Sequence, residues 1–304
     1  IIGLDAGGTL DRGNDDDGIE TSAASTTIGG STSASRNIIS GNDDHGVNLI
    51  STATASTIQG NYIGTNATGT AAVGNTLDGV FTNASGVEVG GVDSGQRNVI
   101  SGNGLDGIGT HSSVTSITIR GNYIGTSADG MSDLGNTGDG IDGFNMTVGG
   151  TTSGSRNVIS GNTGRGVAAT GGSTIQGNYI GLNVAGTAAL PNGSVSSAAV
   201  NIAGNNNTLG GTTAAARNVI SGNSTAVGVA IVGLTAFGGG SSSNNVVQGN
   251  YIGTNTNGEV QSGFGNDLGM VILLDSLNSL VGGTAAGTGN IIAGNGAGIA
   301  SFGI

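Results

Sequence analysis

Six residues, Asp17, His45, Asp78, Asp106, Asp139 and Arg165, each stand immediately before a glycine, at successive intervals of 28, 33, 28, 33 and 26 residues. Carboxylates aligned on one face suit two kinds of chemistry. Oxygen-rich clusters hold Ca²⁺, and paired carboxylates serve as acid and base in glycoside hydrolysis. Asp17, Asp78, Asp106 and Asp139 are therefore the candidate calcium ligands. Asp15, Asp16, Asp43 and Asp44 lie beside them at the first end, and His45 or His111 is close to any hydrolytic pair. The plainer reading is a solvated acidic edge. The absence of a Gly-Gly-x-Gly-x-Asp calcium repeat favours that reading.

The spacing comes from a repeat. Arg-Asn-(Ile/Val)-Ile-Ser-Gly-Asn occurs at 36–42, 97–103, 156–162 and 217–223, and Gly-Asn-Tyr-Ile-Gly falls between at 60–64, 121–125, 177–181 and 249–253. The full unit recurs about every 61 residues and contains two coils, one shorter and one longer. Each coil carries three short β-prone pieces, and its third reads Asn-x-Ile. The Ile recurs at ten positions from Ile2 to Ile292. Residues two apart share a strand face, so the Asn points the same way as the Ile. Asn37, Asn61, Asn98, Asn122, Asn157, Asn178, Asn218, Asn250 and Asn290 are thus expected to stack as an amide ladder. A second column follows Gly at another corner, from Asn14 to Asn295, and the coil with Pro191-Asn192-Gly193 departs from that pattern. Three strands and three corners per coil describe an all-β, right-handed parallel β-helix of about ten coils. It forms one domain over 1–304.

Between each ladder Asn and Ile sits an outward residue, and every Tyr of the chain (Tyr62, Tyr123, Tyr179, Tyr251) lies at this position on alternate coils. This apolar stripe needs cover. Either the extra loop of the long coils, such as 65–73, folds back over it, or another chain makes a lateral contact. The Thr-rich stretches, such as 51–57, show no constant phase from coil to coil, which argues against an ordered Thr array.

Composition narrows the functions. A net charge of −12 without any Lys excludes ordinary nucleic-acid binding. No apolar run approaches the ~20 residues of a membrane span. Four of the seven Arg (Arg36, Arg97, Arg156, Arg217) hold one repeated position, which marks them as scaffold. The chain begins at Ile1 in mid-coil and finishes at Ile304 after a first strand, without a polar cap at either end. Processing, or excision from something longer, is expected. Uncapped solenoid ends seek partners. Ile1, Ile2, Ile299 and Ile304 are the expected head-to-tail contacts, with the four Tyr as lateral ones.

Asn98-Val99-Ile100-Ser101-Gly102-Asn103 followed by Gly107-Ile108 resembles the right-handed parallel β-helix repeat family. Gly-Asn-Tyr-Ile-Gly-Thr-Asn at 60–66 resembles long arrays in secreted or surface-attached bacterial proteins. That resemblance implies an extracellular or cell-surface location but no single activity, since the family spans pectate lyases, polygalacturonases, epimerases, tailspikes and adhesins. The expectation is a non-enzymatic structural β-solenoid that self-associates into a filament or surface fibre, without a cofactor unless calcium binds. The alternative is a domain that binds or cleaves carbohydrate as a lyase or hydrolase.

Overall fold

A computed structural model describes residues 1–194, 197–233, 241–273 and 275–302. The chain winds into a parallel β-solenoid with three long sheets. The first stacks ten strands, from Ile19–Thr21 to Ala297–Ser301. The second stacks nine, from Thr27–Gly29 to Leu280–Val281. The third also stacks nine, from Ile38–Ile39 to Ile291–Ile292. Every strand pair in these sheets is parallel and joins one coil to the next. At about 4.8 Å per rung, ten rungs make a body roughly 50 Å long.

The Ile column forms as the repeat predicts. Ile63 pairs with Ile39 and Ile100, and Ile124 with Ile100 and Ile159. These five side chains are fully buried, and Ile2 and Ile292 pack against the same core from either end. Each buried Ile contributes about 1.5–3 kcal/mol. The glycine before most first strands is sterically required, although Ala199 takes that place before Val200. A Cβ on Gly79 would lie 2.6 Å from Ile100 Cγ2 and 2.8 Å from the Gly107 carbonyl.

Both Asn columns are buried hydrogen-bonded ladders. In the first, Asn98 Nδ2 donates to Asn122 Oδ1 at 3.0 Å, and the contact repeats unbroken from Asn37 to Asn290. Each Oδ1 also accepts the backbone N–H of the Asn one coil back, as Asn98 Oδ1 does from Asn61. The second ladder corrects the sequence reading. Asn192 does not depart from it: Asn162 Nδ2 donates to Asn192 Oδ1 at 2.9 Å, and Asn192 Nδ2 donates to Asn223 Oδ1 at 3.3 Å. Replacing the preceding Gly with Pro191 changes the approach to the corner but not the column.

The Thr reading is also corrected. Thr27, Thr57, Thr118, Thr147, Thr174 and Thr208 form one outward row on the second sheet, and Glu88 stands between the second and third of them. Their separations in sequence vary from 27 to 34 residues around Glu88 at 31 and 30, because the connecting loops vary while the strand register does not. Linear phase hid the row.

The apolar stripe on the third sheet is covered from within the chain. Hairpin-like loops closed by bridges Thr65–Ala72, Thr126–Asp133 and Leu182–Ala189 lie over it, with Ala128 and Val184 packed against Tyr123, Val99 and Val158. The loops touch one another every second coil. Ala67 N–H donates to the Gly8 carbonyl, Ala128 to Gly69 and Val184 to Gly130, at 2.8, 2.8 and 3.0 Å. This loop-to-loop stack explains the two-coil repeat. Each loop spans two rungs, so only alternate coils need a Tyr beneath one.

Candidate functional site

The outer face of the first sheet carries two parallel rows. One row is the pre-glycine series. The other includes Glu20, Asn48, Phe81, Gly109, Asp142, Ala168, Asn201, Ala230 and Val271, each in register with the next. Over the first six coils this face gathers carboxylates, His45 and Arg165. A Cβ on Gly109 would meet Asp78 Oδ2 at 2.8 Å and Phe81 Cδ2 at 3.3 Å, so the glycine lets these two side chains close over the strand.

The pre-glycine side chains form a ladder of their own. Asp17 Oδ1 accepts the His45 N–H at 3.0 Å, and His45 Nδ1 accepts the Asp78 N–H at 3.2 Å. Asp78 Oδ1 accepts the Asp106 N–H at 2.9 Å, Asp106 Oδ1 the Asp139 N–H at 2.6 Å, and Asp139 Oδ1 the Arg165 N–H at 2.5 Å. Each residue thus satisfies a backbone donor one coil along. The second carboxylate oxygens remain for other partners. Asp17 Oδ2 accepts from Asn48 Nδ2 at 2.8 Å, while Asp78 Oδ2 lies 3.5 Å from His45 Nδ1 and Asp139 Oδ2 lies 3.6 Å from Arg165. His45 also stacks on Phe81 with ring centroids 4.8 Å apart.

Crowding these carboxylates changes their acidity. Burial pushes Asp106 up to about 7, and the charges of Asp78, Asp139 and Asp142 add to it against the lowering effect of the Asp139 N–H. Burial likewise raises Asp78, Asp139 and Asp142, and Asp139 contributes further to the rise at Asp142. The shift moves Asp106 toward the neutral range, the direction expected of a general acid.

At its first end the row meets a second set of potential metal ligands. One oxygen each of Asp17, Asp78, Asp106 and Asp139 serves a backbone N–H. Among the described residues, ligand atoms of Asp17, Asp44 and His45 converge, all within 4.8 Å of one another. Asp44 Oδ1 is buried, accepts no hydrogen bond and lies 3.5 Å from His45 Nε2. Two carboxylates with an imidazole suit a transition ion better than Ca²⁺, which prefers oxygen alone. Asp44 was noted in the sequence only as a neighbour, because its coil position differs from that of Asp17.

Beyond Arg165 the same face turns apolar. Ala198, Ala230 and Val271 are buried on it, and Val227 and Leu268 are half-buried. A depression of about 280 Å³ lies there, lined by Arg165, Asn201, Val232 and Leu273 among others. Sequence reasoning missed this surface because Ala and Val look the same on either face of a strand.

The remaining expected residues fall elsewhere. Arg36, Arg97, Arg156 and Arg217 stack over Tyr62, Tyr123, Tyr179 and Tyr251 at 3.9–4.2 Å from the ring centroids. Each Arg Nε also donates to a glycine carbonyl on the next coil, which explains their periodicity. Tyr123 is buried and the other three Tyr are half-buried beneath their loops. Ile1 and Ile299 are exposed and Ile2 is half-buried, whereas Ile304 lies outside the described residues. No protein-family model, curated protein or solved structure matches the chain.

Proposed function

We propose that this chain is an extracellular structural rod, a β-solenoid that extends coil on coil into a filament or a longer surface fibre. The unbroken axial ladders carry this reading. Two buried Asn columns and the Arg–Tyr stacks tie every coil to its neighbours through side chains as well as backbone. A repeat that contacts only its neighbours can lengthen without redesign. The outermost coils offer the same Ile and Asn pattern, so another coil fits there whether it comes from the same chain or from a second copy. Electron microscopy with light scattering over a concentration series tests the idea. Filaments of constant width that lengthen with concentration are expected, and monodisperse 29 kDa particles at every concentration overturn self-assembly.

A second reading draws support from Asp106. A carboxyl raised to about 7, tied in hydrogen-bonded register to Asp78 and Asp139, suits cleavage of a polysaccharide by general acid catalysis. Release of reducing ends from a glycan panel, lost in Asp106→Asn and Asp142→Asn, is the expected result. No release from any glycan removes the reading.

A further inference from the structure

The Thr row on the second sheet has a chemistry that neither reading uses. None of the six Thr hydroxyls makes a hydrogen bond with the described residues. Other Thr hydroxyls in the same chain do, such as those of Thr52 and Thr82. Thr27 and Thr147 are exposed and the other four are half-exposed. Donor and acceptor groups therefore repeat along the rod about every 4.8 Å. The hairpin loops cover the third sheet and leave this face open.

Two residues further along each strand the chemistry alternates with a period of two rungs. Gly29 pairs with Gln59, Gly90 with Arg120, Gly149 with Gln176 and Gly210 with Gln248. Gln176 and Gln248 use Nε2 to hold the carbonyls of Gly210 and Gly282, which leaves Oε1 without a donor among the described residues. The only charges on the strip neutralise each other: Arg120 donates to Glu88 with a closest contact of 2.6 Å.

We propose that this strip binds a neutral, β-linked polysaccharide strand laid along the rod axis. In an extended chain of this kind alternate sugars are flipped, so the chemistry repeats every disaccharide. Two rungs, about 9.6 Å, approximate that length. Thr hydroxyls meet every sugar, and a Gln or Arg meets every second one, because the intervening strands carry a glycine without a side chain at that position. The Glu88–Arg120 pair is a good partner for sugar hydroxyls and a poor one for an ice lattice, whose water order a charged pair disrupts. Zero net charge on the strip favours a neutral glycan over a uronate polymer. Individually weak contacts repeated over several rungs add through avidity.

The test is affinity electrophoresis of the whole chain through a soluble neutral β-glucan, with sedimentation on cellulose and chitin powders alongside. Retardation is expected. The Thr147→Ala, Thr174→Ala double variant should bind about tenfold more weakly from the loss of two hydroxyl partners, and Gln176→Ala should weaken binding by a similar factor. Asn257→Ala, on an exposed turn outside this strip, should bind like the wild type. Thermal melts confirm that each variant is folded, and Thr174→Ser, which restores the hydroxyl, should recover most of the affinity in a folded protein. Lack of retention by every neutral glycan overturns the proposal. So does equal binding by the Thr variants, or ice-recrystallisation inhibition without glycan retention, which reassigns the row to ordered water. None of these results bears on filament formation, which is read separately by microscopy.

Discussion

The Oδ1 atom of Asp106 accepts the backbone N–H of Asp139, one coil further along the rod, at 2.6 Å. The same carboxylate faces Asp78, Asp139 and Asp142, whose charges oppose its ionisation. The acidic row is thus part of the coil-to-coil bonding and also a store of electrostatic strain.

Asp106 is raised from an ordinary value of 3.8 to about 7, so the folded chain retains a proton that the unfolded chain releases. Its contribution to stability is complete below pH 4 and is lost as pH rises through about 7. Asp106→Asn keeps an Oδ1 acceptor for the Asp139 N–H and removes the charge. At pH 8 the variant should melt a few degrees above the wild type, with little difference at pH 4. Melting curves across this range decide the matter, and parallel pH profiles for both proteins would refute it.

Asn98 accepts from the Asn61 backbone and side chain, and donates to Asn122 Oδ1 and to the Ile58 carbonyl. Asn98→Ala strands these buried partners and should cost about 2–4 kcal/mol in urea unfolding. Asn192→Ala should cost a similar amount, because Asn192 occupies the same kind of position in the other ladder. Asn257 is exposed, and its replacement by Ala should stay within about 0.5 kcal/mol.

Arg97 lies 4.2 Å above the Tyr123 ring centroid and donates from Nε to the Gly121 carbonyl at 3.1 Å. Arg97→Ala should destabilise the chain by about 1–2 kcal/mol. Lys in its place should recover little, lacking the planar guanidinium. The chain has four Tyr and no Trp, so tyrosine fluorescence reports the change directly.

A divalent ion that stabilises the chain should act through Asp17, Asp44 and His45, whose ligand atoms converge. Zn²⁺ should raise the melting temperature more than Ca²⁺ does, because an imidazole belongs to the set. His45→Ala should abolish that increment and Asp133→Asn should leave it intact. A larger shift with Ca²⁺, insensitive to His45→Ala, would move the metal back to the Asp row.

The coil, the Ile column and the first Asn ladder were legible because they depend on identity at a constant phase. Ile63, Ile100 and Ile124 recur with the same neighbours, and only vertical stacking accounts for that. The acidic row was legible as an alignment for the same reason. What it does was not legible, since a sequence does not tell whether Asp106 Oδ1 meets water, a cation or the Asp139 N–H.

Tertiary structure decided the rest through register. Thr118, Thr147, Thr174 and Thr208 differ in spacing because the corners absorb insertions, while interstrand hydrogen bonds hold the strands level. Asn192 stayed hidden behind Pro191 for a related reason: a column is defined by position in space, and more than one backbone approach reaches it. Local residue patterns determined that the chain coils and which side chains fill the interior. Which surface residues become neighbours depended on loop lengths summed around each turn, and only the folded backbone performs that sum.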